Sequence, residues 1–294
     1  MNEMKQLRKD ARLGFSFTLS AGTTHYIFGD TIDELIDGLA LLKNDKALNI
    51  FSQQFETMLS DEQRKRFDAL VLQTEDINAI SEYTDRIKTL SNIDEFEAFL
   101  SSSIEYPYVI LRFSKKFRGA NFEKMQNAII QSQNAPAMLQ FSEIEGTNLH
   151  LLKQAIFQTN QVWPIADFCI SHQEVDGLIE KSDIQYVQDL AIAQSDLSTI
   201  FHIAKMLKGV DTEKLQTFII QSKDSYYINR FAEYVKKADI AKLQAAIIES
   251  KDAYEMYRFA RDVKGADIKT LKKAAIRRNR SLRKQFNDLL KSSH

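Results

Sequence analysis

The chain has 294 residues, of which 44% are hydrophobic and 27% charged, and its net charge is −1; this balance excludes a disordered polypeptide and fits one or two domains or an elongated array. Only 9 Gly and 3 Pro interrupt it, which favours helix, and the single cysteine, Cys169, excludes an intramolecular disulfide and fits a reducing compartment. No apolar run approaches the roughly 18 residues a membrane helix needs, so no membrane partner is expected.

Residues 1–28 stand apart from the rest. MNEMKQLRKDARLGFSFTLSAG places basic residues first, as a secretory leader does. Its apolar stretch is short and broken by Ser and Thr, so secretion is not expected and a cytoplasmic location is. FSFTL, SAGT and THYIF read as two short strands around a tight turn, a hairpin that would cover the exposed end of the helical region.

From residue 29 onward the chain repeats itself. YRFARDVKGADIKTLKKAAI, from Tyr257, echoes NRFAEYVKKADIAKLQAAI, from Asn229. Aligning on the aromatic gives Phe51, Tyr83, Phe113, Phe141, Phe168, Ile203, Phe231 and Phe259, with Phe286 closing the series. The period predicts nine units near 29–56, 61–88, 91–118, 119–145, 146–173, 181–208, 209–236, 237–264 and 265–291, each a pair of short helices. In the unit 237–264, Asp239 caps the first helix by accepting from N–H groups that have no partner within it. Asn121, Asn148, Asp183, Asp211 and Asp267 take the same place. SKD then breaks the helix and Asp252 caps the second, whose Met256, Phe259, Ala260 and Val263 form one buried stripe. Gly119, Gly146, Gly209 and Gly265 are expected to turn the chain at helix ends. Pro107, Pro136 and Pro164 all fall in the first turn of a second helix, where a missing N–H is tolerated. Such pairs cannot bury their apolar faces alone and must stack. The predicted fold is therefore all-α: a solenoid of about nine helix pairs behind a small N-terminal β-hairpin.

The unit from Phe231 to Tyr257, which opens FAEYVKKADIAKLQAAIIESKDAY, resembles a tandem repeat of phage and bacterial proteins with the pattern FAxxVKGADIxKLQxAII. The likeness is close over Gly209–Ile276, looser over Ser91–Lys208 and absent over the first 28 residues. It implies a HEAT-like α-solenoid and a phage or low-GC bacterial source, with no catalytic residues to carry over.

Motifs for chemistry are sparse. The histidines form neither HExxH nor a paired Cys/His spacing, and the glycines make no phosphate loop, so neither a metal nor a cofactor is expected. Cys169, beside Phe168 on the apolar stripe, reads as a small core residue. Trp163 and Asp167 share a helix face at i, i+4. An aromatic beside a carboxylate on a helical-repeat scaffold is similar to HEAT-like DNA glycosylases, in which such groups hold an extruded base.

A ladder across the repeats carries more weight. The position before each aligned aromatic holds Glu82, Arg112, Gln140, Asp167, His202, Arg230 and Arg258. Four residues earlier stand Tyr108, Pro136, Trp163, Ser198, Tyr226 and Tyr254, and helical geometry turns both columns away from the core. Tyr257 and Arg261 extend the set. Trp, Tyr and Arg dominate protein interfaces, so this column predicts a non-enzymatic scaffold that binds a protein partner. The competing reading packs the tyrosines between repeats with the arginines solvated. A second surface is the C-terminus. From Gly265 to His294 nine Lys/Arg face two Asp, a net of +7, leaving −8 on the other 264 residues. Lys272, Lys273, Arg277, Arg278, Arg280, Arg283 and Lys284 suit either a solubilising end-cap or a nucleic-acid contact.

Overall fold

The computed structural model describes residues 13–18, 24–42 and 44–292. Strands β1 (Leu13–Thr18) and β2 (Thr24–Gly29) pair antiparallel, with Phe15 opposite Ile27 and Phe17 opposite His25. Alternation along a strand sends Phe15, Phe17 and Ile27 inward, where all three are buried. The Phe15 ring lies 5.8 Å from Phe51 and 6.1 Å from Phe55, so the hairpin covers the first helix pair. The expected turn SAGT lies outside the described residues.

Behind the hairpin stand nine helix pairs: α1 (Ile32–Leu42) and α2 (Asp45–Phe55), α3 (Asp61–Leu72) and α4 (Ile77–Arg86), α5 (Ile93–Ser102) and α6 (Pro107–Lys116), α7 (Phe122–Gln131) and α8 (Ala135–Phe141), α9 (Leu149–Gln158) and α10 (Val162–His172), α11 (Lys181–Ala193) and α12 (Leu197–Met206), α13 (Thr212–Ser222) and α14 (Ser225–Tyr234), α15 (Ile240–Glu249) and α16 (Ala253–Asp262), and α17 (Ile268–Arg278) and α18 (Arg283–Ser292). The protein is an all-α repeat solenoid with a two-stranded cap. It forms two compact units, one ending at Ala155 and the other starting at Ile156. In the first, α2, α4, α6 and α8 pack in succession; in the second, α10, α12, α14 and α16 do the same.

Each aligned aromatic, together with Ile203 in its column, is buried, and so is Cys169. In the first unit the rings touch in series: Phe51 to Phe67 at 4.8 Å, Phe67 to Tyr83 at 5.4 Å and Tyr83 to Phe96 at 6.1 Å. Burying one such ring is worth roughly 2–3 kcal/mol.

Stacking is directional because one side chain reads the next pair's backbone. Gln126 Oε1 accepts from the backbone N–H of Asn148 at 2.8 Å, and Gln126 Nε2 donates to the Asn148 carbonyl at 3.0 Å. In the second unit, Gln188 accepts from the N–H of Asp211 (2.6 Å), Gln216 from Asp239 (2.7 Å) and Gln244 from Asp267 (2.7 Å). In the first unit a carboxylate does the same: Glu97 accepts from the N–H of Asn121 at 2.5 Å and Asp68 from Ser91 at 2.8 Å. Gln126, Gln188, Gln216, Glu97 and Asp68 are all buried. Each amide they reach belongs to or adjoins a residue at the start of the following pair, so the clasp fixes one repeat's register on the next. Asp68 also accepts from the Tyr83 hydroxyl at 2.5 Å. Burial pushes the Asp68 carboxyl above the usual carboxylate range despite these donors, and burial likewise raises the Tyr83 phenol.

Within a pair the turn is built from a short polar triplet. In Thr74–Asp76, Ser132–Asn134, Thr159–Gln161, Ser222–Asp224 and Ser250–Asp252 the hydroxyl oxygen accepts from the backbone N–H two residues on, at 3.2–3.4 Å. The middle residue is left-handed each time: Glu75, Gln133, Asn160, Lys223 and Lys251 have φ between 53° and 65°, as does Ser195 in the sixth pair. These are strained positions for residues with a Cβ.

One sequence expectation needs correcting. Asp183 does not cap a helix start: α11 begins at Lys181, and Asp183 accepts from the Glu180 N–H at 2.8 Å as the third helical residue of a capping box. Gly119 lies in the turn after α6 as expected, without the left-handed backbone of Gly146, Gly209 and Gly265 at φ 89°, 81° and 88°. Asn121, Asn148, Asp211, Asp239 and Asp267 accept backbone N–H bonds as expected.

Both the clasp and the turn can be tested by substitution. Gln216→Leu strands the Asp239 N–H and should lower the urea-unfolding free energy by about 1–3 kcal/mol, while Gln216→Glu, which keeps an acceptor, should lose less. Lys223→Gly and Lys251→Gly relieve left-handed strain, and each should raise stability by roughly 0.5–1 kcal/mol in the same assay.

Candidate binding surface on the second helices

The turn triplet determines where the ladder aromatics point. The Asp224 carboxylate accepts from the N–H groups of Tyr226 and Tyr227 at 3.0 and 3.1 Å, and Asp252 from those of Tyr254 and Glu255, both at 3.0 Å. Tyr226 and Tyr254 therefore occupy the second position of α14 and α16, with the buried Phe231 and Phe259 five residues on, about 500° around the helix and well off the tyrosines' face. Tyr226 is 46% exposed and Tyr254 61%; Tyr108 on α6 and Trp163 on α10 are each 45% exposed. All four rings are partly open to solvent.

In the first unit Arg112 reaches back to α4. Its Nη2 donates to Ser81 Oγ at 2.6 Å and its Nη1 lies 3.2 Å from the Asp85 carboxylate.

The second unit holds a linked row. The Trp163 ring stacks on His202 of α12 at 4.9 Å and 28°, and His202 Nε2 lies 3.0 Å from Asp167 Oδ1. One repeat thus supplies an aromatic and a carboxylate, and the next an imidazole that joins them. One repeat further on, the Arg230 guanidinium of α14 sits among three rings, 4.6 Å from Tyr234, 5.3 Å from Phe201 and 5.9 Å from Tyr226. Lys205 Nζ lies 4.8 Å from the Tyr234 ring. Cation–ring attraction holds these charges in place without neutralising them. Hydrogen bonding to Glu233 holds the Tyr234 phenol above the ordinary tyrosine value.

Elsewhere the ladder is internally committed. Arg258 pairs with Glu255 at 3.0 Å, and Glu255 also accepts from Asn229 of α14. Arg261 pairs with Asp262 at 2.6 Å and holds that carboxyl below the usual carboxylate range. Tyr257 meets Phe286 edge-on at 5.2 Å, so it belongs partly to the last pair's core. Of the ladder arginines, Arg230 is the one without a carboxylate partner among the described residues. Phe201, Lys205 and Tyr234 were not foreseen. Tyr234 stands four residues after Arg230, the helical neighbour spacing that points to it.

For base capture, Trp163 and Asp167 are not open groups: one ring face meets His202 and the carboxylate faces its imidazole. Among the described residues no group of His, Cys, Asp and Glu has the clustering that holds a metal ion, and no helix is long and apolar enough to cross a membrane. The seven basic residues foreseen at the C-terminal end gather on α17, α18 and the turn between them. Lys272 Nζ donates to Asn287 Oδ1 at 2.5 Å; the other six are exposed.

No protein-family model, curated protein or solved structure matches the chain.

His202→Ala uncovers one face of Trp163, the chain's single tryptophan. Acrylamide should then quench its fluorescence more strongly than in the parent, with helical circular dichroism unchanged.

Proposed function

We propose that this protein is a binding scaffold that engages a protein partner through the second helices of its C-terminal unit, with no chemistry of its own at that surface. One observation carries the reading: Arg230 is a cation wrapped by Phe201, Tyr226 and Tyr234 and given no carboxylate by its own chain among the described residues. Its planar fork is pre-positioned, so a partner carboxylate is bound at little cost in side-chain ordering. Half-exposed Trp163 and Tyr226, with the freer Tyr254, supply apolar area with few rotatable bonds, the composition of interface anchors. Arg258, Arg261 and Tyr257, already partnered within the chain, form the rim of this surface, and on α6 the exposed Tyr108 stands one helical turn before Arg112. The resemblance to phage and bacterial repeats makes a role in phage–host interaction the natural setting, inside a cell's cytoplasm.

The reading is tested by affinity capture from the native host with the wild type and with Tyr226→Ala/Arg230→Glu. Removing a central anchor costs about 2 kcal/mol or more, so the specific partner should be lost by at least 10-fold at an unchanged thermal midpoint. Equal recovery by both proteins overturns the assignment.

A further inference from the structure

The last helix pair departs from the other eight in its electrostatics. Lys273, Arg277, Arg278, Arg280, Arg283 and Lys284 are all exposed, and none has a carboxylate partner among the described residues. Exposed cations elsewhere are commonly answered from a neighbouring element: Lys214 by Asp189 at 2.5 Å, Lys242 by Glu213 at 3.2 Å and Lys208 by Glu174 at 2.5 Å. The local arrangement adds to the repulsion. Lys273 and Arg277 are four residues apart on α17, where like charges face each other. Arg283 and Lys284 open α18, whose first turn has no acidic residue and whose free N–H groups are already positive.

An end-cap needs polarity, not one sign of charge, so capping does not account for the cluster. Apolar contact is missing as well: among the described residues the exposed large hydrophobic side chains stop at Tyr254. A peptide would find no aromatic anchor here and a membrane no apolar wedge. A surface of unpaired arginines and lysines without apolar anchors suits a ligand read by its charge alone, repeated along its length.

We propose that the junction of α17 and α18 is a docking site for the phosphodiester backbone of a nucleic acid, independent of base sequence and separate from the Arg230 surface. Arginine forks at 277, 278, 280 and 283 take phosphate oxygens, with Lys273 and Lys284 as flanking point charges.

Fluorescence anisotropy with a labelled DNA duplex of mixed sequence tests this with the full chain. With about four phosphates neutralised, affinity should fall on the order of 100-fold between about 50 and about 200 mM KCl, and scrambling the sequence should leave it unchanged. Arg277→Gln/Arg278→Gln/Arg283→Gln/Lys284→Gln should abolish binding. Lys223→Gln/Lys236→Gln/Lys237→Gln/Lys251→Gln removes the same charge from exposed positions elsewhere and should bind as the wild type does. Three results overturn the proposal: no binding at low salt, equal loss in both variants, which reduces the effect to net charge, or poly-glutamate competing as well as unlabelled DNA, which makes the site a general polyanion surface. Thermal midpoints confirm that both variants are folded.

Discussion

A side-chain amide hydrogen-bonded to the next repeat's backbone is the contact on which this architecture rests. Hydrophobic burial between helices is strong but non-directional, so burial alone names no single backbone group of the next pair as its partner. The Gln126, Gln188, Gln216 and Gln244 clasps remove that freedom, because each meets one particular N–H at the start of the following pair. A slipped register would leave a side-chain amide and a backbone donor both unpaired, a penalty well above that of a lost surface contact. The alignment of Phe201 on α12 with Arg230 on α14 is a by-product of this fixed register, since Gln188 joins those two pairs.

Much of the scaffold was legible in the residues. The aromatic column, the capping Asp and Asn residues and the first-turn prolines all obey spacing rules that a single chain displays, and together they point to the all-α array of helix pairs that the structure has. Helical geometry turned Tyr226 and Tyr254 away from the apolar stripe but left open whether they pack between repeats; they are 46% and 61% exposed. The devices between these landmarks were less visible. A glutamine midway along a helix reads as solvent-facing, and only its recurrence five residues after Asn121, Asp183, Asp211 and Asp239 marks it as structural. The left-handed turns escaped notice because Glu, Gln, Asn, Ser and Lys occupy them, not glycine. Asp183 was misplaced because a capping box puts its acidic residue inside the helix, three positions after the true cap.

Of the candidate surface, the residues named in advance include Arg230 and Tyr226 but neither Phe201, Lys205 and Tyr234 nor the state of each arginine. Arg112, Arg230, Arg258 and Arg261 look alike in alignment, yet one is tied to Ser81 and Asp85, two are paired within their own helix, and one is ringed by aromatics. Those differences arise from neighbours one repeat away, such as Phe201, which only three-dimensional stacking brings near. The clasp position is not always a glutamine: in the pair α17 and α18 it holds Lys272, which donates to Asn287 within its own pair.

Because each clasp addresses a main-chain amide, its chemistry is indifferent to which side chain the next repeat carries there: Asn121, Asn148, Asp211, Asp239 and Asp267 serve equally. A junction of that kind is universal, like a standard coupling between carriages. At the joints that carry a clasp, whole repeats can be duplicated, deleted or exchanged in the gene while the contact stays chemically complete, so the number of repeats there is free to change by recombination without redesign of the interior.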